Sequence, residues 1–411
     1  MTTPVCKFIE LCRDKNLLQW ENYTSAAQHS LAVLDKKLFD LFSQYQTITT
    51  SLEREQQLWK KLRVRALVDS DGTIAALRNK LDDWDNYPSA SRLELARGMK
   101  PDVEELFLSR QERAIELGYP SYPHLIYDCE DLSSDFVQQI VNRSLEQNLM
   151  HAKDFISRHR LKQESWFRQL SELTAESRQI EFTDELSKVG RLFGCEDELN
   201  TLSIKILKQP ISGIVISVNP PQDVRLLVSP ITSLNQLRTF YHELGHGLAA
   251  VCNEEQGLLG QFSAVYDEVM AVIFEKMALK AMLEEDARKK LSGVEMVEVV
   301  RLATSHNFEK QLWTDLNFSR AEEWFSQGWA ELGVEVDCPA LWSIDSFRSI
   351  DPVYVHNYVL GEYFGRQFVQ LCEKKFGSDY EAWFQFLKTH LLYDGMSRPF
   401  MSKMNLKIFG T

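Results

Sequence analysis

Two histidines four residues apart, with a glutamate directly after the first, stand in the stretch RTFYHELGHGLAA at residues 238–250. On a helix, His242 and His246 lie one turn apart, so both imidazoles project from one face. Glu243 sits beside them in the H-E-x-x-H arrangement. With 9 histidines and 59 acidic residues in 411 positions, such a pattern arises by chance in roughly 0.03 chains of this length. The chemistry it offers is zinc hydrolysis. A hydrolytic zinc site takes three protein ligands and leaves a fourth position for water. The two histidines supply two ligands, and Glu243 is placed to act as general base toward that water.

A third ligand must come from elsewhere. The segment FSAVYDEVMAVIFEKM (262–277) is mostly apolar, yet it carries Glu268 and Glu275 seven residues apart on one helical face. Carboxylates on an apolar stripe are costly unless paired or coordinating. Glu268, 22 residues past His246, is the expected third ligand, with Asp267 and Glu254 as alternatives. Glu275 and Asp267 are candidates to orient a ligating histidine from outside the ligand set. A second group lies in DPVYVHNYVLGEYFG (351–365), where Tyr354, His356 and Tyr358 alternate and Tyr363 follows. Such a run is often aromatic core. Beside a zinc motif, its hydroxyls or its imidazole could stabilise the oxyanion of an attacked carbonyl.

The elements that must position these groups are mostly helical. Apolar residues at helical spacing predict helices over 25–45, 51–68, 71–84 and 91–118, the last running on both sides of Pro101 and ending at Gly118. Further helices are expected at about 133–160, 164–193, 262–283, 294–330, 353–375 and 379–391. The stretch GIVISVNPPQDVRLLVSPITS (213–233) differs. Two β-branched runs flank Pro220, Pro221, Gln222 and Asp223, which predicts a hairpin. Ser233 then caps a motif helix over about 234–251, with Gln236 as its capping-box partner. A soft domain boundary is expected near 195–212, dividing an N-terminal helical lobe (1–200) from a catalytic lobe (201–411). No repeat or low-complexity linker is evident.

Composition bounds the partners. The chain is 44% hydrophobic and 26% charged, with a formal net charge of −13. So acidic a chain, without a basic stripe, is not expected to bind nucleic acid or anionic lipid. No apolar run reaches the length of a membrane span, and the N-terminus lacks the pattern of a signal peptide. The seven cysteines form no C-x-x-C pair and no evident disulfide framework, so a reducing cytoplasm is the expected location.

Five stretches together resemble the zinc oligopeptidases that include thimet oligopeptidase and oligoendopeptidase F. They are QLRTFYHELGHGLAA, YDEVMAVIFE, YVHNYVLG, RQERAIELGYPSYPHLIYD and LLYDGMSRPFMSKMNLKIFGT, in that family's order over most of the chain. The resemblance implies a mainly α, two-lobed metallopeptidase with a deep central channel and a small β-sheet beside the zinc helix. It implies one zinc ion on His242, His246 and Glu268, short unstructured peptides as substrates, and hydrolysis of internal bonds. An edge strand of the hairpin would hold the peptide through Gly213 and Val215, with Tyr363 as a further contact. The sequence departs from the family in three ways. The chain is shorter than usual members. His356 stands where the oligoendopeptidase branch tends to have tyrosine. Asp394, Gly395 and Met396 replace a double-glycine loop. These departures keep a carboxypeptidase-like or specialised biosynthetic zinc hydrolase as the rival reading. A non-catalytic helical binding protein is the third.

Overall fold

The computed structural model describes residues 3–24, 31–69, 71–82, 92–207 and 213–404. The protein is mainly α, with two small sheets. Its described residues form two compact units, each assembled from distant segments. The first comprises Met1–His29, Phe167–Glu295 and Leu360–Thr411, and the second Ser30–Trp166 and Met296–Val359. The boundary expected near residue 200 does not coincide with this division. The N-terminal helix Pro4–Thr24 belongs with the motif helix, and two of the crossing points fall inside helices Glu285–Asp315 and His356–Phe376.

The second unit is helical throughout its described residues. It holds Ala32–Gln44, Glu53–Asp69, Gly72–Asp82, Arg92–Glu116, Tyr122–Cys129, Ser134–His159 and Ala321–Glu331, with most of Glu285–Asp315. Its core is aromatic. Phe107 stacks on Trp313 at 4.3 Å, and Trp59 and Trp342 are fully buried. The single helix expected over 294–330 is broken. Leu316 takes a left-handed φ of 50°, and a short 3-10 turn at Phe318–Arg320 precedes the next helix. A side chain in that conformation cannot continue a right-handed helix. The parts of the expected helices at 25–30, 83–84 and 91 lie outside the described residues.

The first unit carries the sheets. Strand β1 (Ala175–Ile180) pairs antiparallel with β5 (Ile231–Ser233). Strand β2 (Leu202–Ile206) runs parallel to β4 (Asp223–Val228), and β3 (Gly213–Asn219) is antiparallel to β4, in the order β2-β4-β3. The β3–β4 hairpin is where the sequence predicts it. By contrast, β1 interrupts the helix expected over 164–193, leaving Trp166–Leu173 and Phe182–Phe193 on either side. Its partner strand is some fifty residues away, and β2 depends on a parallel partner; neither pairing shows in local periodicity. One face of the larger sheet meets the motif helix Leu234–Cys252. A Cβ at Gly247 of this helix would lie 3.1 Å from Leu202, and Leu202 pairs with Val224. The opposite face carries Arg225, whose guanidinium lies 5.2 Å from the Trp20 ring of the N-terminal helix.

The motif helix starts as expected. The Ser233 hydroxyl accepts from the Gln236 amide at 3.1 Å. The return contact differs from a standard capping box, because Gln236 Oε1 accepts from the Thr232 amide and hydroxyl, both at 2.7 Å. Helix Ala264–Met282 packs closely against this helix. At Gly245 an added Cβ would stand 2.6 Å from the Ala271 Cα and 2.7 Å from its carbonyl oxygen. The obstacle is backbone, so one helix would have to move. Gly245→Ala is expected to destabilise the protein by about 1–3 kcal/mol despite the better helix propensity of alanine. Denaturant unfolding measures this, and an unshifted midpoint would show that the two helices separate freely.

Candidate metal centre

His242 and His246 project from the motif helix with rings nearly perpendicular, at 86°, and centroids 4.8 Å apart. Their Nε2 atoms converge to 3.2 Å. The close approach at Gly245 brings helix Ala264–Met282 over them. Glu268 Oε2 lies 3.2 Å from His242 Nε2 and 3.8 Å from His246 Nε2. One ligand atom from each of the three residues falls within 4.8 Å of the others. The outer ring nitrogens also face carboxylates. His242 Nδ1 is 3.3 Å from Glu275 Oε2, and His246 Nδ1 is 2.9 Å from Asp267 Oδ1.

This arrangement fits a divalent cation. Two imidazole nitrogens and one carboxylate oxygen face a common point, each imidazole is oriented from behind by a carboxylate, and the N₂O donor set suits zinc. The electrostatics agree. Glu243, Glu268 and Glu275 are all buried, at 9%, 4% and 5% exposure. Such negative charge in a low-dielectric site calls for compensation. Without a cation, protons on the imidazoles provide it. Burial opposes a charged His242, yet hydrogen bonding and charge from Glu268 and Glu275 hold it well above the ordinary imidazole range. Burial likewise opposes a charged His246, and Asp267 outweighs it, lifting the imidazole to about 9.

A pH dependence follows. A cation binds neutral imidazole, so it must displace these protons. Zinc binding near pH 7 is therefore expected to release protons, and zinc affinity should climb as pH rises toward 9. The metal-free fold behaves in the opposite sense. The raised His246 stabilises it fully below about pH 6.5, and that contribution fades as pH rises through about 9. Calorimetry of zinc binding in buffers of different ionisation enthalpy counts the protons. A count of zero would mean that the imidazoles are already neutral.

Glu243 is buried next to the pair. Burial pushes its carboxyl up, with charge from His246 and His242 pulling it back. A base poised above the usual carboxylate range suits proton transfer near neutral pH. The first residue of β3 seats it. A Cβ at Gly213 would lie 2.6 Å from Glu243 Cγ, and Gly213 has φ of 154°. Gly213, expected from the sequence as a peptide contact, is thus first of all the space into which the base fits. Val215 lines an adjoining cavity of about 430 Å³, together with Arg13, Asn16, Gln222, Gln256 and Asp267. Asn16 of the N-terminal helix donates to the Ser217 carbonyl of β3 at 2.7 Å.

The tyrosine-rich segment reads differently in three dimensions. Tyr354, His356 and Tyr358 belong to the second unit. Tyr354 stacks on Phe347 at 5.3 Å, and Tyr358 meets the same ring edge-on at 5.8 Å, both tyrosines half-buried. His356 is fully buried, edge-on to Tyr127 at 5.2 Å, and neither ring nitrogen has a hydrogen-bond partner among the described residues. An oxyanion contact needs a ring nitrogen open to substrate, and His356 has none. The aromatic-core reading holds for it. Tyr363, in the first unit, packs against Phe364 at 5.2 Å and is half-buried. Glu254, the other alternative ligand, is bonded through its amide to the Tyr393 carbonyl at 3.0 Å and is not among the converging groups. Lys276 belongs to none of the sequence motifs; its one signal is a cation inside a long apolar helix.

Comparison with solved structures extends over the whole chain. An M32 carboxypeptidase from Deinococcus radiodurans R1 superposes with a TM-score of 0.71 at 13% identity, covering 99% of this chain and 94% of that one. A Pyrococcus furiosus carboxypeptidase gives 0.68 at 13% identity, over 100% and 96%. A protein assigned as an oligoendopeptidase F from Bacillus anthracis str. Ames gives 0.57 at 11% identity, over 97% and 80%. No family model matches the sequence, and no curated protein matches it. The fold is thus shared with carboxypeptidases as much as with the oligoendopeptidase group that the sequence resembles.

Proposed function

We propose that this protein is a zinc-dependent metallopeptidase that hydrolyses short, unstructured peptides. The observation that carries the reading is the convergence of His242 Nε2, His246 Nε2 and Glu268 Oε2, with buried Glu243 beside them. His242, His246 and Glu268 would hold the ion. When bound, it supplies Lewis acidity toward water and toward a carbonyl oxygen. The remaining work belongs to the chain. Glu275 and Asp267 fix the imidazoles through their Nδ1 atoms. Glu243 takes the proton of the attacking water on its carboxylate and passes it to the leaving amine. Strand β3, at the edge of its sheet among the described residues, begins at the base and offers main-chain groups to an extended peptide.

Two cutting modes are compatible with this chemistry. Hydrolysis of internal bonds is the reading that the motif stretches favour. Removal of C-terminal residues is favoured by the extent of the fold likeness, since the carboxypeptidases match over 94–96% of their own lengths. Mass spectrometry of a mixed peptide pool incubated with the zinc-loaded protein separates them. Internal fragments support the oligopeptidase, and single C-terminal losses support the carboxypeptidase. No cleavage by a chain that holds one zinc overturns generic peptidase action and leaves a dedicated substrate.

A further inference from the structure

Helix Ala264–Met282 is buried along most of its length, yet it carries Lys276 directly after Glu275. The Lys276 side chain is only 10% exposed. Its Nζ lies 2.6 Å from Glu295 Oε1, 2.6 Å from Glu362 Oε1 and 3.4 Å from Glu275 Oε1. These carboxylates come from three different helices, Ala264–Met282, Glu285–Asp315 and His356–Phe376. Their oxygens fall within 4.8 Å of one another, a grouping that could itself hold a metal ion. Here an ammonium sits among them. The second oxygen of Glu275 faces the other way, 3.3 Å from His242 Nδ1. One carboxylate therefore joins the ammonium to the imidazole that faces the metal position.

We infer that Lys276 is a positioning residue for the metal centre: anchored by Glu295 and Glu362, it fixes the Glu275 carboxylate that orients His242. The inference rests on the metallopeptidase reading. Its physical basis is charge and geometry. Three carboxylates within 4.8 Å, those of Glu275 and Glu362 buried and that of Glu295 half-buried, repel one another unless a cation stands between them. Removing the ammonium leaves Arg238 as the remaining cation acting on Glu275 and lets repulsion from Glu295 and Glu362 shift the carboxylate that lies 3.3 Å from His242 Nδ1. A carboxylate behind a ligating histidine sets the ring's direction and basicity, so its displacement weakens metal binding. An ion cluster that merely ties three helices together would alter stability and leave metal affinity alone.

The zinc dissociation constant, measured by competition with a chromophoric chelator, separates these roles when thermal unfolding of the metal-free protein is followed alongside. Lys276→Met is expected to weaken zinc binding roughly tenfold, and Lys276→Arg to retain most of the affinity. Lys276→Met alone adds an uncompensated negative charge to the cluster, so Lys276→Met with Glu362→Gln removes one charge of each sign and keeps the cluster's net charge. That double variant should unfold near the wild-type temperature and still bind zinc roughly tenfold more weakly. Wild-type zinc affinity in the folded double variant overturns the inference, whatever happens to stability. A wild-type chain that retains no zinc overturns the metal-centre reading and this inference with it.

Discussion

Glu243→Gln is expected to lower peptide turnover by about 10²–10⁴-fold while the chain still holds one zinc, because a general base contributes on that scale. The amide is nearly isosteric and keeps the seat that Gly213 provides, where the Glu243 side chain fills the space a Cβ would need. It cannot accept the proton of water. Glu243 also does not share the converging position of His242, His246 and Glu268, so zinc content should not fall. Removing a carboxylate that is 9% exposed and whose carboxyl is pushed up by burial should leave the fold intact or slightly firmer. Turnover and metal content are measured on the same preparation. Near-wild-type turnover would reassign the base, and lost zinc would make Glu243 a ligand.

The second large effect is on the metal itself. Glu268→Ala is expected to weaken zinc binding more than 100-fold, beyond the 10–100-fold typical of residues that act through a ligand. Glu268 Oε2 faces both Nε2 atoms, at 3.2 and 3.8 Å. Asp267 contacts His246 at Nδ1 instead, at 2.9 Å. Asp267→Asn should therefore fall in the smaller range, since it keeps an oxygen facing Nδ1 and removes only the charge. Dialysis against graded chelator concentrations ranks the two. If Asp267→Asn loses zinc more readily than Glu268→Ala, the third ligand is Asp267.

What could be read from the sequence was local. His242, Glu243 and His246 share one helix whose cap, Ser233, is next to it in the chain, so their common face follows from helical spacing. Glu268 and Glu275 were visible as carboxylates misplaced on an apolar helix, and the β3–β4 hairpin as two β-branched runs around a proline pair. The mainly α fold class follows from the same periodicity.

What required the tertiary structure was everything set by distant partners. Strands β1 and β2 pair with segments that local pattern does not name, so periodicity alone places the first in a helix. The compact units join residues far apart in sequence, which composition along the chain does not register. The same limit governed the site. The tyrosine-rich run looked catalytic beside a zinc motif, but burial sends His356 into the core of its unit. That Gly213 also leaves the space that seats Glu243 shows only in the packing of β3 against the motif helix. Lys276 was invisible as a functional residue because its meaning depends on Glu295 and Glu362, which reach it from two other helices. Residue type and spacing decide which groups one helix presents. Which groups meet them is decided by packing between elements, where a missing Cβ or one buried charge settles the distance.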